Sequence, residues 1–467
     1  MNTTTTNVIE AATHPALTTG AGGAYPHRWT WAGVRLGWQG NYTWHAGPQH
    51  ATLVLGPPRS GKTTGIVAPA IAQAPGAVVA TSTKADLVHL TLAWRQQRGR
   101  CWYFDPSGTT TPPPGTTPVR WTPLAGCETW SVAVNRARAL AATTAAHGEQ
   151  THWVERGEAL LAPLFHAAAV MGLDMVWVIR WVLQRDLTEA MRALARARAD
   201  ELAAATLAGI AETDERERSG ILSTAARILA AYRSPEALAT TVQANFDPEA
   251  FVHSADTLYL VAPSQYQTHL APLVVCLLDQ IRHHTYQRHP SWPPLLFALD
   301  EAANIAPLPD LPSIVAEGAG QGLVTLTCLQ DLNQARARWG TAAEGFLTLH
   351  GAKVALGGIA DVLTLRALSY LAGNIDMQYT TRSGRPLSIF GDEISWSQHV
   401  QQRPRIPPEQ INALPAGCAY LAHTTWAPRI ITLYPPRPAP PKPLGADWWN
   451  SVVEAFRQII QRATSNR

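Results

Sequence analysis

Two patterns of apolar residues share this chain, and they occupy different stretches. Short uninterrupted runs occur at 51–55 (ATLVL), 77–81 (AVVAT), 101–105 (CWYFD), 257–261 (TLYLV), 294–299 (ending LLFAL), 323–329 (LVTLTCL) and 352–356 (AKVAL). Runs of this length, rich in Val and Leu, predict strands buried on both faces. The segments between them carry helical spacing. A helix is expected at 63–73, bent or shortened by Pro69, and an amphipathic helix at 270–288. Strands alternating with helices predict an α/β fold, a mostly parallel sheet flanked by helices.

From 127 to 250 the pattern changes. Apolar residues recur at helical intervals, as in Ala159, Leu160, Pro163 and Leu164 and again in Leu187, Ala190, Met191 and Leu194. This predicts an inserted all-α domain. Its Arg-rich face (Arg185, Arg192, Arg196, Arg198) is either a contact for nucleic acid or a secreted partner, or a solvated helix face balanced by Asp and Glu. Residues 29–50 mix Trp, Gly and β-formers. They suggest short strands at the edge of the sheet, with Trp rings packed under a hairpin or free to stack on bases. Residues 1–28 read as a disordered lead. Residues 435–443 (PPRPAPPKP) read as an extended spacer, and 447–463 as a short helix with Trp448, Val452, Phe456 and Ile459 on one side.

Composition narrows the class. With 15% charged and 46% hydrophobic residues the chain has ample core for two or three domains. A net charge of +3 is too small to argue for nucleic acid by itself. Cys101, Cys127, Cys276, Cys328 and Cys418 form no C-x-x-C pair, which points to a reducing compartment and away from zinc. The most hydrophobic stretch, 159–183, contains His166, Asp174 and Arg180, so a pair of buried helices is expected there and not a membrane span. Lys occurs only at 62, 84, 353 and 442. Against that background a Lys in a phosphate-binding pattern carries weight.

Such a pattern follows the first apolar run. Gly56, Pro57, Pro58, Arg59, Ser60, Gly61, Lys62 and Thr63 fit G-x-x-x-x-G-K-[ST], with Thr64 opening the helix. The strand–loop–helix context is what a P-loop requires. Gly61 lets backbone N–H groups approach phosphate oxygens, Lys62 would reach the β- and γ-phosphates of ATP, and the Thr63 hydroxyl would ligate Mg²⁺. The run LLFAL delivers a second element, Asp300-Glu301, in the Walker B arrangement. Asp300 would hold Mg²⁺, Glu301 would act as general base for the attacking water, and Gln330, at the end of a later strand, could orient that water. Lys84 and Asp86, just beyond 77–81, either face the nucleotide or a neighbouring subunit, or simply begin a surface helix. The organisation is therefore a lead (1–28), a nucleotide-binding domain in two parts (29–126 and 251–434) around the helical insert (127–250), and a spacer with a terminal helix (435–467).

These segments resemble a known family, the type IV coupling proteins, conjugative DNA-transfer ATPases of the TraG/TraD kind and P-loop NTPases of the RecA-like FtsK–HerA kind. The resemblance runs from about 50 to 435. It is carried by LGPPRSGKTTGIVAP, TSTKADLV, WTPL, TLYLVAPSQY and, most specifically, LLFALDEAANIAPLPDLPSIVAEGAGQGLVTLTCLQDLNQARARWG, with HVQQRPRIPPEQINALPAGCAYL near the end. It implies a RecA-like motor, usually hexameric. An all-α domain would recognise the relaxosome or a secreted protein, and DNA, single-stranded or as nucleoprotein, would be fed to secretion-channel membrane proteins. Such a chain would be cytoplasmic, peripheral at the inner face of the membrane.

Two departures qualify the resemblance. Family members usually carry N-terminal membrane helices, and none appears here, which suggests a soluble variant recruited by a separate membrane protein, or a truncated chain. Many also place an Arg in the turn that here reads Gly318-Ala319-Gly320-Gln321-Gly322, so a trans-acting arginine must come from elsewhere, with Arg336 and Arg338 nearby. Two alternatives stand beside the DNA motor: an ATP-driven receptor for secreted proteins, and a nucleotide-binding scaffold with little turnover.

Overall fold

The computed structural model describes residues 31–144, 149–197, 199–383 and 395–433. The lead at 1–28, Arg198, the spacer at 435–443 and the helix at 447–463 lie outside the described residues. The apolar runs form strands where the pattern predicts them. The first six are β1 (Arg35–Gln39), β2 (Tyr42–His45), β3 (Thr52–Leu55), β4 (Val78–Ser82), β5 (Cys101–Phe104) and β6 (Thr117–Pro118). After a long helical stretch come β7 (Thr257–Val261), β8 (Leu295–Leu299), β9 (Leu323–Leu329) and β10 (Ala352–Leu356). The last four are β11 (Asn374–Ser383), β12 (Ser395–Pro404), β13 (Cys418–His423) and β14 (Arg429–Thr432).

Twelve of these strands form one sheet in the order β2-β1-β14-β13-β10-β3-β9-β8-β4-β7-β5-β6. From β10 to β6 every pairing is parallel. On the other side of β10, strands β13, β14, β1 and β2 add antiparallel. The chain leaves β3 for β4 and fills the gap between them only later, with β8 and β9. The carboxyl ends of β3, β9 and β8 therefore stand side by side, which is where open α/β sheets place ligands.

The strands read as unbroken apolar runs because both faces are covered. Along β8, Leu295, Phe297 and Leu299 enter one core cluster and Leu296 and Ala298 the other. The first cluster continues without a break into the helices between β6 and β7 and into the helix Gln267–Gln287. The second is closed by the helices Ala68–Gln73 and Asp86–Arg95. Burial of this kind stabilises by roughly 25 cal/mol per Å² of apolar surface.

Three local findings refine the expectations. The helix expected at 63–73 begins as a wide π turn, Thr63–Val67, in which the Ala68 N–H reaches back to the Thr63 carbonyl, and takes α geometry only over Ala68–Gln73. Pro69 has no N–H to give to Gly65, so the wider turn shifts the hydrogen-bond ladder past it. The Trp-rich edge packs its rings inward: Trp38 is buried, Trp44 lies 4.8 Å from Trp426, and the Arg429 guanidinium sits 3.9 Å above the Trp44 ring. The β11–β12 ribbon went unforeseen, since its sequence carries no apolar run.

Two buried polar side chains fix the sheet at its amino edge. Arg95, with no exposed surface, donates to the Ala74, Gly76 and Ala255 carbonyls at 2.7 to 2.8 Å and to Thr257 Oγ1 at 2.6 Å. His350, equally buried, packs before β10. Its Nδ1 donates to the Phe346 carbonyl at 2.9 Å, and its Nε2 accepts from Thr327 Oγ1 at 3.2 Å. Both ring nitrogens are thus satisfied by the neutral form, and burial pulls its pKa from 6.5 to about 4.

Because the folded-state value is depressed, the stabilisation is complete above pH 6.5 and is lost as the pH falls toward 4. We expect about 3 kcal/mol of stability to disappear across that window from this side chain alone. Urea titrations at stepped pH would measure it. His350→Gln should flatten that part of the profile, and an unchanged slope in the variant would refute the assignment.

Candidate nucleotide site

The loop after β3 is shaped by two residues with positive φ, Arg59 at +64° and Gly61 at +97°. Gly61 takes its value at no steric cost, while Arg59 is held there against the usual preference. Gly56 is needed for a different reason: a Cβ at that position would stand 2.7 Å from Ser60 Oγ. Pro57, Pro58 and Arg59 form the outer arc, and Pro58 and Arg59 are exposed. Ser60 Oγ is buried without a hydrogen-bond partner. Lys62 is buried and folds across the loop, its Nζ donating to the Gly56 carbonyl at 2.5 Å and the Pro57 carbonyl at 3.0 Å. Thr64 Oγ1 reaches the Gly61 carbonyl at 3.5 Å.

The carboxyl end of β8 meets this loop. Thr63 Oγ1 donates to Asp300 Oδ2 at 2.6 Å, although 237 positions separate the two residues. Asp300 is held from behind as well, since Thr81 Oγ1, on β4, donates to its backbone carbonyl at 2.7 Å. Burial pushes the Asp300 carboxyl above its ordinary value, against the opposing pull of the Thr63 hydroxyl and the Lys62 ammonium. Glu301 is also raised, chiefly by burial, with Lys62 opposing and Asp300 reinforcing. Gln330 at the end of β9 hydrogen-bonds the Glu301 carboxylate through its side chain, and Asn304 Nδ2 donates to Glu301 Oε2 at 3.4 Å. The Gln330 backbone N–H is itself held by Gln334 Oε1 at 2.9 Å.

Lys62, Thr63, Asp300, Glu301 and Gln330 thus come from three adjacent strand ends and face one crevice. The donor set suits a polyphosphate with a divalent cation: an ammonium, loop amides, an orphaned hydroxyl, and a hydroxyl–carboxylate pair of the kind that shares a hard cation. Lys84 and Asp86 do not join it. Both are exposed, the Lys84 N–H donates to Ser82 Oγ at 3.3 Å, and Asp86 opens the helix Asp86–Arg95. Arg336 and Arg338 lie on the helix Leu332–Trp339, and Arg338 Nη2 donates to the Pro307 carbonyl at 3.5 Å. Thr81, Asn304 and Gln334 were not singled out from the sequence. The polar end of the AVVAT run was the one available signal for Thr81.

Glu301 sits in the left-handed region, at φ +55°. Strain of that size at an L-residue costs about 1–2 kcal/mol and is maintained only where the surroundings enforce it. Glu301→Gly should therefore raise the unfolding free energy by about 1 kcal/mol. Guanidinium titration checks this. A variant less stable than the parent would mean that the contacts of the carboxylate outweigh the strain.

The family model described as Type IV secretory system Conjugative DNA transfer matches residues 28–431. A conjugal transfer protein TraG of Escherichia coli is 26% identical over 451 residues, which cover 88% of this chain and 68% of TraG. A second TraG from the same organism is 26% identical over 435 residues, covering 83% of this chain and 66% of that protein. The chain thus spans about two thirds of the length of these relatives. Among solved structures, the unbound bacterial conjugative coupling protein TrwBdeltaN70 superposes with a TM-score of 0.65 at 17% identity, over 85% of this chain and 87% of that one. TrwB in complex with a non-hydrolysable ATP analogue gives 0.62 at 18% identity, over 85% and 88%. The structural likeness establishes a shared fold, and the model match over most of the chain places it in a family: this protein belongs to the type IV secretory system conjugative DNA transfer family.

Proposed function

We propose that the chain is an ATP-hydrolysing coupling protein that moves DNA or nucleoprotein toward a type IV secretion channel. The observation that carries this reading is the 2.6 Å contact between Thr63 and Asp300 across the P-loop crevice, with Glu301 and Gln330 beside it. TrwB has been solved with ADP and Mg²⁺, with an ATP analogue and with a GTP analogue, which supports a nucleoside triphosphate with Mg²⁺, ATP in our reading, as the ligand here.

In the mechanism we infer, Gly56 to Thr64 would hold the phosphates, and the Lys62 ammonium, now on two loop carbonyls, would be available to the β- and γ-phosphates. Thr63 and Asp300 would hold Mg²⁺, which supplies charge neutralisation on the transferring phosphoryl group. Glu301 accepts a proton from the attacking water. Its hydrogen bond to Gln330 sets its orientation. Gln330 is placed to hold that water in line. The helical stretch between β6 and β7 is proposed as the cargo-recognising unit. A homo-hexamer that supplies an arginine in trans, and peripheral attachment at the inner membrane face through channel proteins, belong to the same reading. Among the described residues no helix is long and apolar enough to cross a membrane.

Steady-state ATPase assays with and without single-stranded DNA test it. We expect Lys62→Ala to abolish turnover and Glu301→Gln to lower kcat by about 10²–10⁴-fold with nucleotide binding retained. DNA should stimulate hydrolysis, and the stimulation should fade as salt rises. Turnover indifferent to DNA would favour a receptor for secreted proteins. Negligible turnover under all conditions would favour the scaffold.

A further inference from the structure

Away from the nucleotide crevice, a cleft of about 1020 Å³ lies between the helices Trp130–Ala141 and Gln267–Gln287 and the residues around Asp247. Its wall carries Arg136, only 6% exposed. A guanidinium stays charged at any pH the protein meets, so a buried one must be compensated. Arg95 illustrates one solution, with its ring of carbonyl acceptors. Arg136 has no such ring and meets the thiols of Cys127 and Cys276 instead. Its Nε lacks a hydrogen-bond partner, and the ion pairs among the described residues, Arg156–Glu217 and Arg282–Asp279, leave it out.

The groups packed beside Arg136 cannot neutralise it. Burial pushes the thiols of Cys127 and Cys276 up to about 12 and the Tyr232 phenol well above its ordinary range, so all three remain uncharged. The Tyr232 hydroxyl is also buried without a partner. The two thiols hydrogen-bond the Arg136 side chain without neutralising it, so this pocket wall presents a positive charge whose immediate partners are neutral.

We propose that the cleft binds a small molecule through a single oxyanion, a phosphate or carboxylate gripped by Arg136, with the rest of the ligand lying along Phe246 and Val275. The guanidinium fork takes either anion with two parallel hydrogen bonds. Glu158, Asp247, Glu249 and Asp310 also line the cleft, as does Asp279, which is paired with Arg282. They would repel a polyanion, which rules against a nucleic-acid backbone and favours a ligand with one anionic head and hydrogen-bond donors elsewhere. This site is separate from the P-loop, and its test is arranged so that the two are distinguishable.

Thermal unfolding and calorimetric titration are run on full-length Lys62→Ala and on Lys62→Ala/Arg136→Met, with inorganic phosphate, acetate and glycine at constant ionic strength. On Lys62→Ala we expect a dose-dependent rise in Tm with at least one probe. Phosphate alone would identify a phosphate ligand, and acetate or glycine a carboxylate. The Arg136→Met change should weaken that binding by at least about tenfold. In anion-free buffer it should leave Tm equal or higher, because the uncompensated charge is gone. If Arg136→Met does not fold, phenylglyoxal labelling of the unmodified chain, mapped by peptide mass spectrometry, replaces it, and the effective probe should protect Arg136. No shift with any probe, an equal shift in both variants, or labelling of Arg136 unaffected by the probes would overturn the proposal.

Discussion

A hydrogen bond between the Thr63 hydroxyl and the Asp300 carboxylate holds the functional geometry together. Thr63 opens the turn that follows the loop after β3, and Asp300 stands at the end of β8; the two strands are not neighbours, for β9 runs between them. Two strand ends separated by a third can meet only if the loop of one folds back over the edge of the sheet. The positive φ of Arg59 and Gly61 turns the first loop back, and the left-handed Glu301 turns the second. Thr81 then fixes Asp300 from the far side, so the carboxylate is located by strands on both flanks. The strain at Glu301 is intelligible in this light. A residue held in an unfavourable conformation beside a buried carboxylate is stabilised for its position and not for the fold.

The sheet makes this possible by being covered on both faces. Its central strands carry no solvent-facing side. The two faces are covered unequally. One is closed by short helices near the P-loop. The other shares a continuous core with the long helical stretch between β6 and β7. That stretch and the strands that carry Asp300 and Gln330 therefore share one apolar core.

Buried cations are treated in contrasting ways across the molecule. Arg95 is satisfied by carbonyls and serves as a bolt at the amino edge of the sheet. Lys62 borrows two carbonyls of its own loop, an arrangement that can be exchanged for phosphate oxygens. Arg136 has neither. The same chemical requirement, that an interior charge be compensated, thus separates a structural residue from two whose partners would come from outside the chain.

Much of this was legible in one dimension. Strand runs such as TLYLV and LVTLTCL declare themselves because burial on both faces leaves no polar alternation, and the residues from Gly56 to Thr63 declare a phosphate loop because that backbone geometry demands those residue types at that spacing. The ribbon β11–β12 was not legible, since its strands pair with each other in the open and carry no apolar signature. Nor was the wide π turn at Thr63–Val67, where the missing N–H of Pro69 acts through a hydrogen-bond ladder that has no counterpart in composition. The sequence by itself determined the type of each central element, the family resemblance and the identity of the phosphate-loop and acidic residues, because these depend on local backbone chemistry and on burial. Only the tertiary structure decided that β9 stands between β3 and β8, that Thr81 braces Asp300, that Gln330 reaches Glu301, and that Arg136 is buried without a counter-charge. Those facts depend on which strand ends lie side by side, and strand order is set by packing across the whole sheet.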